Sequence, residues 1–137
     1  MTGLTDLDQL IRKLSPKLQE GEFVFCTFPG DVYGSFSHLH PVASFREQEG
    51  LTLIIPKSSA EAAGIVFNAT YRQITLQVHS SLDAVGLTAA VSTVLANAGI
   101  SANVVAAYFH DHIFVPSDRA EEAVNLLIQL SKDGSLS

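Results

Sequence analysis

Residues 114–123 read FVPSDRAEEA, and sixty residues earlier residues 54–63 read IIPKSSAEAA. The two stretches align without a gap, and four of their ten positions are identical. Each contains an apolar strand, a proline that ends the strand, and a helix start. Ser58 and Asp118 each stand three residues before a glutamate, which is the spacing of a helix capping box. The shared order of these features indicates that the chain contains one structural unit twice.

The second copy extends upstream into a β-α-β-β-α pattern. Residues 74–78 alternate between apolar and polar side chains, as a strand does, and residues 102–108 and 113–115 are predicted to form a hairpin. Two helices are predicted from apolar residues at helical spacing. Their stripes are Leu87, Val91, Val94, Leu95 and Ala98 in the first, and Ala120, Ala123, Val124, Leu127 and Leu130 in the second. This order corresponds to a ferredoxin-like unit without its final strand, so we expect an unpaired sheet edge.

The first copy is less regular, because its first two strands are joined by a loop and not by a helix. Residues 29–41 contain two glycines and two prolines, which favour a loop. We expect a helix at the N-terminus, after Thr5, to take the place of the missing one, since Leu7, Leu10, Ile11 and Leu14 share one of its faces. The strands predicted for this copy are residues 23–28, 42–47 and 51–55, followed by a short helix at residues 58–63.

The sequence therefore predicts an α+β fold. We expect two ferredoxin-like units with antiparallel sheets and helices on one face, the first over residues 1–70 and the second over residues 71–137.

Composition excludes several classes of function. Apolar residues make up 47% of the 137 residues and charged residues 16%, which is typical of a compact globular chain. The net charge is −6, and the eight lysines and arginines are scattered, so no basic surface is predicted for nucleic acid or for an anionic membrane. Apolar runs fall far short of the roughly 20 residues that span a bilayer.

Compartment is predicted from the N-terminus and from the single cysteine. The first residues lack the basic and apolar regions of a signal peptide, so we expect a cytoplasmic protein. Cys26 excludes an internal disulfide and agrees with a reducing compartment. Its apolar surroundings favour the interpretation of a small buried hydrophobic residue.

Two stretches of the second copy resemble a known family. Residues 78–87 (VHSSLDAVGL) and 99–105 (GISANVV) look like the loop, helix start and strand start of an ACT domain, a small ligand-sensing module of amino-acid metabolism. Together with residues 49–53 (EGLTL) and 110–116 (HDHIFVP), nearly the whole chain is similar to small bacterial proteins made of two ACT domains. The resemblance implies a tandem of βαββαβ-type units, paired into homodimers, with effector sites at domain or subunit interfaces.

The start of the helix after Val78 is the candidate ligand site. Free amide groups and the positive end of the helix dipole attract a carboxylate there. Gly86 falls in the first turn, where glycine costs about 0.5–1 kcal/mol relative to alanine. Close approach of a ligand would explain this glycine, and so would a neighbouring element packed against it. The resemblance favours the ligand, because ACT effectors bind near this loop and the strand that faces it.

In the ligand interpretation, Asp83 and Asn103 receive the ammonium group of an amino acid, although Asp83 is equally suited to cap the helix. The predicted ligand-binding residues are Ser80, Ser81, Asp83, Ala84, Val85, Gly86, Leu87, Asn103 and Val104. We predict no catalytic residue, no metal ligand and no cofactor.

Histidines supply the main alternative. His110, Asp111 and His112 are side chains of the kind that bind metals, but the aligned residues 48–56 (QEGLTLIIP) are a hairpin tip without such ligands. A zinc site normally needs three or four protein ligands. We therefore interpret the stretch as a polar hairpin. His38 and His40 are interpreted as loop residues, with a ligand lid as the alternative.

The leading functional hypothesis is a non-enzymatic, cytoplasmic module that binds an amino acid and works as a homodimer. A small metal-dependent enzyme built on His110, Asp111 and His112 is one alternative. An interaction scaffold without a ligand is the other.

Overall fold

The computed structural model describes residues 6–30, 33–79 and 85–135. The chain divides into two compact units, Met1–Gln19 with Arg72–Ser137, and Glu20–Tyr71. We call the first the terminal unit, because it contains both ends of the chain, and the second the central unit. This division differs from the sequence ranges 1–70 and 71–137 by one residue at Tyr71 and in one segment, Met1–Gln19, which groups with the second half of the chain.

Apart from the short strand Pro16–Leu18, which the sequence analysis does not predict, the elements follow the predicted order with shifts of a few residues at their ends. They are α1 (Asp6–Arg12), β1 (Pro16–Leu18), β2 (Phe23–Phe28), β3 (Ala43–Glu47), β4 (Gly50–Pro56), α2 (Lys57–Ala62), β5 (Tyr71–Leu76), α3 (Leu87–Asn97), β6 (Asn103–Ala106), β7 (Asp111–Pro116) and α4 (Ala120–Asp133), with 3-10 turns at Ser37–Leu39 and Ser117–Arg119.

The sixty-residue repeat is visible in the bounds of the strands. β3 and β6 begin at Ala43 and Asn103, and β4 and β7 end at Pro56 and Pro116. Both hairpins are antiparallel. The repeat inferred from ten aligned residues therefore describes two strand pairs and the proline that ends each of them.

The predicted capping boxes are wrong in both copies. Pro56 is the N-cap of α2, and Arg119 is the N-cap of α4. Neither helix has a side-chain cap among the described residues. In the second copy, the 3-10 turn moves the helix start beyond Asp118, and in the first copy the helix begins one residue before Ser58.

The sheet of the terminal unit has the order β1-β5-β7-β6. β1 runs antiparallel to β5, with Lys17 opposite Thr75. This is the strand order of a ferredoxin-like unit in which β1 takes the place of the final strand. The predicted absence of that strand is therefore wrong, because Pro16–Leu18 supplies it from the N-terminal end of the chain.

Helices α3 and α4 bury the predicted stripes in the core of the terminal unit. They pack with Ile74 and Leu76 of β5 and with Ile113 and Val115 of β7. These strand residues stand at every second position, so their side chains share one face of the sheet, and the helices cover that face.

Helix α1 belongs to the same core. Ile11 of α1 and Leu14, two residues after the end of α1, are buried together with residues of α3 and α4. The backbone N–H groups of Gln77 and Val78 donate to the carbonyls of Ser15 and Leu14, both at 3.2 Å. These bonds hold the end of α1 against the stretch that follows β5.

The central unit has the strand order β3-β4-β2, and Phe23 of β2 pairs with Tyr71. The described residues of the predicted loop, 29–30 and 33–41, contain a 3-10 turn at Ser37–Leu39. Leu39 of that turn is buried in the core, and Phe36 stacks on Phe28 with ring centroids 3.8 Å apart. The loop thus fills space that a helix would otherwise cover. The other buried residues of this core are Val24, Leu51, Leu53, Ile55 and Ala60.

Candidate functional site

The predicted site at the start of α3 is described only from Val85 onward, since Ser80, Ser81, Asp83 and Ala84 lie outside the described residues. Val85 is 86% exposed. Gly86 is the N-cap of α3 with a φ of 96°, a conformation that favours glycine. Leu87 is buried in the core of the terminal unit and does not face a ligand.

Leu7 of α1 covers Gly86. A Cβ atom placed on Gly86 would lie 3.0 Å from Leu7 Cδ2, which is closer than ordinary van der Waals contact. A neighbouring helix and a positive φ therefore account for this glycine without a ligand. The sequence left packing and ligand approach open, and the structure supplies the packing partner.

The two predicted residues on β6 have local roles. The side-chain amide of Asn103 donates to the carbonyl of Phe114 at 3.1 Å, and these two residues are partners in the hairpin register. Val104 packs against the core of the terminal unit. Of the predicted set that the structure describes, Val85 and Asn103 are the members exposed to solvent.

His112 sits in a polar network on the sheet. Its Nδ1 lies 3.0 Å from Gln73 Nε2 and 3.0 Å from Thr75 Oγ1. The Thr75 hydroxyl, which is buried, accepts a hydrogen bond from Gln19 Nε2 at 3.0 Å. Because an amide nitrogen only donates, Nδ1 is an acceptor, and the neutral ring carries its proton on Nε2.

Several groups act on the charge of His112. The pKa of His112 is lowered, and partial burial is the largest cause. The neighbouring His110 lowers this pKa further, whereas the carboxylate of Asp111 raises it. The neutral form is therefore favoured, which agrees with a ring that accepts a hydrogen bond at Nδ1.

His110 faces different neighbours from His112. Its ring centroid lies 5.6 Å from that of His79, which stacks on Phe109 at 5.7 Å. Its Nδ1 is buried and has no hydrogen-bond partner among the described residues. Nowhere in the described chain do three His, Cys, Asp or Glu side chains converge in a way that would hold a metal ion. The geometry of His110, Asp111 and His112 thus gives no support to the alternative of a metal-dependent enzyme.

His38 and His40 come together at a pocket of about 450 Å³ in the central unit. Its remaining lining residues are Leu39, Ser58, Ser59, Ala62 and Ala63. Both imidazoles are exposed, and His40 ends the 3-10 turn with a φ of 56°. The sequence predicted a loop here and gave no signal that it would meet α2.

Two ACT domain family models match the chain, one over residues 2–72 and the other over residues 68–129. No protein with a curated function matches the sequence. Among the helices of the described residues, none combines the length and apolar character needed to cross a membrane.

Solved structures agree with the family models. A Vibrio cholerae protein of unknown function, described as a possible transport protein, is 50% identical, with a TM-score of 0.81 over 88% of this chain and 92% of that one. An Agrobacterium tumefaciens protein is 16% identical, with a TM-score of 0.66 over 85% and 87% of the two chains. The ligand-free regulatory subunit of aspartate kinase from Thermus thermophilus is 9% identical, with a TM-score of 0.61 over 86% of this chain and 97% of that one. The last two show a common fold.

Family models, topology and structural neighbours converge: the chain belongs to the ACT domain family and contains two ACT-type units in tandem.

Proposed function

We propose that this protein is a non-enzymatic regulatory module that binds a free amino acid and works as a homodimer. The observation that carries the proposal is the coverage of the chain by ACT domain models, which together extend from residue 2 to residue 129. ACT domains are ligand-sensing modules, so binding and not catalysis is the activity that these residues support.

The likeness to a regulatory subunit supports the same proposal. The aspartate kinase subunit from Thermus thermophilus shares its fold with this chain over 97% of its own length. That subunit is a separate regulatory chain in its enzyme. By analogy, a chain that consists of the same two units would pass its ligand state to a partner protein.

Of the described residues in the ligand set predicted around α3, two remain candidates for ligand contact in this proposal. Val85 and Asn103 are exposed and accessible to a ligand. Gly86 and Leu87 support the helix start from inside, since Leu7 covers the first and the core buries the second.

Thermal unfolding with each of the twenty L-amino acids at millimolar concentration tests amino-acid binding. At least one should raise the melting temperature, because a ligand that binds only the folded state stabilises it by about 2.7 kcal/mol at a hundredfold excess over Kd. For a chain of this size, that corresponds to a shift of several degrees, on the order of 2–4 °C per kcal/mol. The D-enantiomer of the responding amino acid is the control. Twenty unchanged melting temperatures would refute the sensor.

Strand β1 pairs along the edge that the sequence predicted to be unpaired, so that edge no longer supports the homodimer. The proposal of a homodimer rests instead on exposed apolar surface. Phe45 on β3 is 70% exposed, and β3 pairs only with β4 among the described strands. An edge strand of this kind favours pairing with a second chain. Sedimentation at tens of micromolar should give twice the chain mass of 14.7 kDa. A monomer at that concentration would contradict the homodimer.

A further inference from the structure

A pocket of about 520 Å³ opens beside α1 in the terminal unit. One wall is formed by α1 and the residue that follows it, and the other by the stretch after β5. The lining residues are Asp6, Gln9, Leu10, Lys13, Gln77, Val78 and His79. We call this pocket the α1 groove.

The α1 groove lies along one face of α1, and another face of the same helix packs into the core. Ile11 and Leu14 turn into the core, and Leu7 lies against Gly86. The groove residues of α1 recur at intervals of three and four, so they form a neighbouring stripe on the same helix. The opposite wall is fixed by the backbone hydrogen bonds from Gln77 and Val78 to the end of α1.

Charges of opposite sign stand at the two ends of the α1 groove. Asp6 and Lys13 are seven residues apart, which corresponds to about 10 Å along a helix, and the flexible lysine shortens the gap between the charged groups. Neither side chain makes an ion pair with another described residue. The amides of Gln9 and Gln77 add donors and acceptors between them.

The floor between the charges is apolar. Val78 is buried, and Leu10 is half-buried against the core of the terminal unit. A pocket with an apolar floor and a few polar groups at defined places is typical of small-molecule sites.

We propose that the α1 groove binds the zwitterionic amino acid, with its ammonium group at Asp6 and its carboxylate at Lys13. A groove with one charge of each sign repels a dianion at Asp6 and a dication at Lys13, and it complements a zwitterion at both ends. This inference rests on the proposed function and gives it a site. The proposed site does not include Gly86, which Leu7 covers.

His79 links the groove to the β6–β7 hairpin. It lines the groove, and its ring stacks on Phe109 with centroids 5.7 Å apart. A ligand in the groove therefore changes the surroundings of the His79 ring, while His38 and His40 in the central unit line a different pocket. Histidine ring resonances in the wild-type protein give a readout that needs no substitution.

Calorimetric titration of two variants tests the contacts. The probes are the twenty L-amino acids and, for the one that binds best, its α-amide and its N-acetyl derivative. Asp6→Asn and Lys13→Met should each weaken the amino acid about tenfold or more, the scale of a lost charge-assisted hydrogen bond. Glu121→Gln and Lys17→Met remove exposed charges of the same sign elsewhere in the terminal unit and should bind as the wild type does.

The derivatives assign each charge to its partner. The wild type should bind the α-amide more weakly than the free acid, and Lys13→Met should lose that preference. The wild type should also bind the N-acetyl derivative more weakly than the free amino acid, and Asp6→Asn should lose that preference. Each pairing forms a cycle in which one group is removed from the protein and the other from the ligand.

The outcomes separate the site from the function. If no amino acid binds the wild type, the proposed function fails, and the groove fails with it. If an amino acid binds and both variants keep wild-type affinity and both preferences, the function stands and the groove is wrong. Should a variant fail to fold, the wild-type resonances decide: a saturating amino acid that leaves His79 unshifted overturns the groove.

Discussion

Leu7 and Gly86 lie so close that a Cβ atom on the glycine would be 3.0 Å from Leu7 Cδ2. The first belongs to α1 and the second is the N-cap of α3, so the contact joins the N-terminal helix to the start of a helix far along the chain. Gly86 also has a φ of 96°. Both the close approach and the backbone conformation disfavour a larger side chain at this position.

Gly86→Ala should therefore destabilise the protein more than a glycine replacement that strains the backbone alone. Gly99→Ala is the matched control, since Gly99 has a φ of 74° and nothing within 4 Å of its added Cβ. Backbone strain of this kind costs about 1–3 kcal/mol. Urea unfolding should give a larger loss for Gly86→Ala than for Gly99→Ala. Equal losses would show that the Leu7 contact does not constrain the glycine.

The same contact predicts coupling between the two residues. In the Leu7→Ala background, Gly86→Ala should cost less than in the wild type, because the clash is gone while the strain from φ remains. A cycle of the two single variants and the double variant measures this difference in the free energy of unfolding. Strict additivity would contradict the contact.

Leu14→Ala tests which core is stabilised by α1 and the residues that directly follow it. Leu14 is completely buried in the core of the terminal unit, where replacing leucine by alanine costs about 2–5 kcal/mol. Amide hydrogen exchange should accelerate in α4, which packs in the same core, and much less in α2 of the central unit.

Leu51→Ala is the reciprocal control, because Leu51 is buried in the core of the central unit. It should accelerate exchange in α2 first. If Leu14→Ala instead loosens α2 and leaves α4 protected, α1 stabilises the first half of the chain, as its sequence position suggested.

Much of the fold could be predicted because strand alternation and helical stripes are local signals. The stripe of α4 is buried at every predicted position, and Phe23–Phe28 forms the predicted strand without a shift. The stripe of α1 identified Leu7, Leu10, Ile11 and Leu14 as a buried face. A stripe does not reveal the core into which a helix packs, and α1 packs with helices of the second half of the chain.

Strand β1 was missed for a different reason. It has three residues and begins with a proline, so alternation has no room to show. Proline is tolerated at the first residue of a strand, but on its own it signals a helix end or a turn. The expected unpaired edge of the terminal unit followed directly from this omission.

The candidate site depended on contacts that the sequence does not encode locally. Gly86 was identified as unusual, but its explanation lies in Leu7, in another helix. Asp6, Gln9 and Lys13 have the pattern of a solvated helix face. They become a pocket wall only because Gln77 and Val78 are bonded to the end of α1.

Cys26 should react slowly in the native protein. It is half-buried against the core of the central unit, and burial raises the pKa of its thiol. Since the thiolate is the reactive form, iodoacetamide at pH 7.5 should modify native Cys26 at least about tenfold more slowly than the urea-unfolded chain. Mass spectrometry follows the modification, and Cys26→Ala defines the background. Equal native and unfolded rates would contradict this burial.

His112 should make the stability of the protein depend on pH. Burial and the neighbouring His110 hold its pKa below the ordinary histidine value of about 6.5. Between the lowered pKa of the folded state and the ordinary pKa of the unfolded chain, the unfolded state binds more protons. Stability contributed by neutral His112 is therefore present above the unfolded pKa and is lost as the pH falls from about 7 through the folded pKa.

His112→Gln isolates that contribution. Glutamine keeps an acceptor for the amide of Gln73 and the hydroxyl of Thr75 but does not titrate, so the melting temperature of the variant should fall less between pH 8 and pH 5 than that of the wild type. At pH 8 the variant should be less stable by about 1 kcal/mol, the scale of an imperfectly replaced hydrogen bond. His38→Gln, which removes an exposed imidazole from the central unit, is the control and should follow the wild-type profile. If His112→Gln also follows that profile, the acid sensitivity comes from other groups, and the network of Gln73, Thr75 and His112 does not hold the ring neutral.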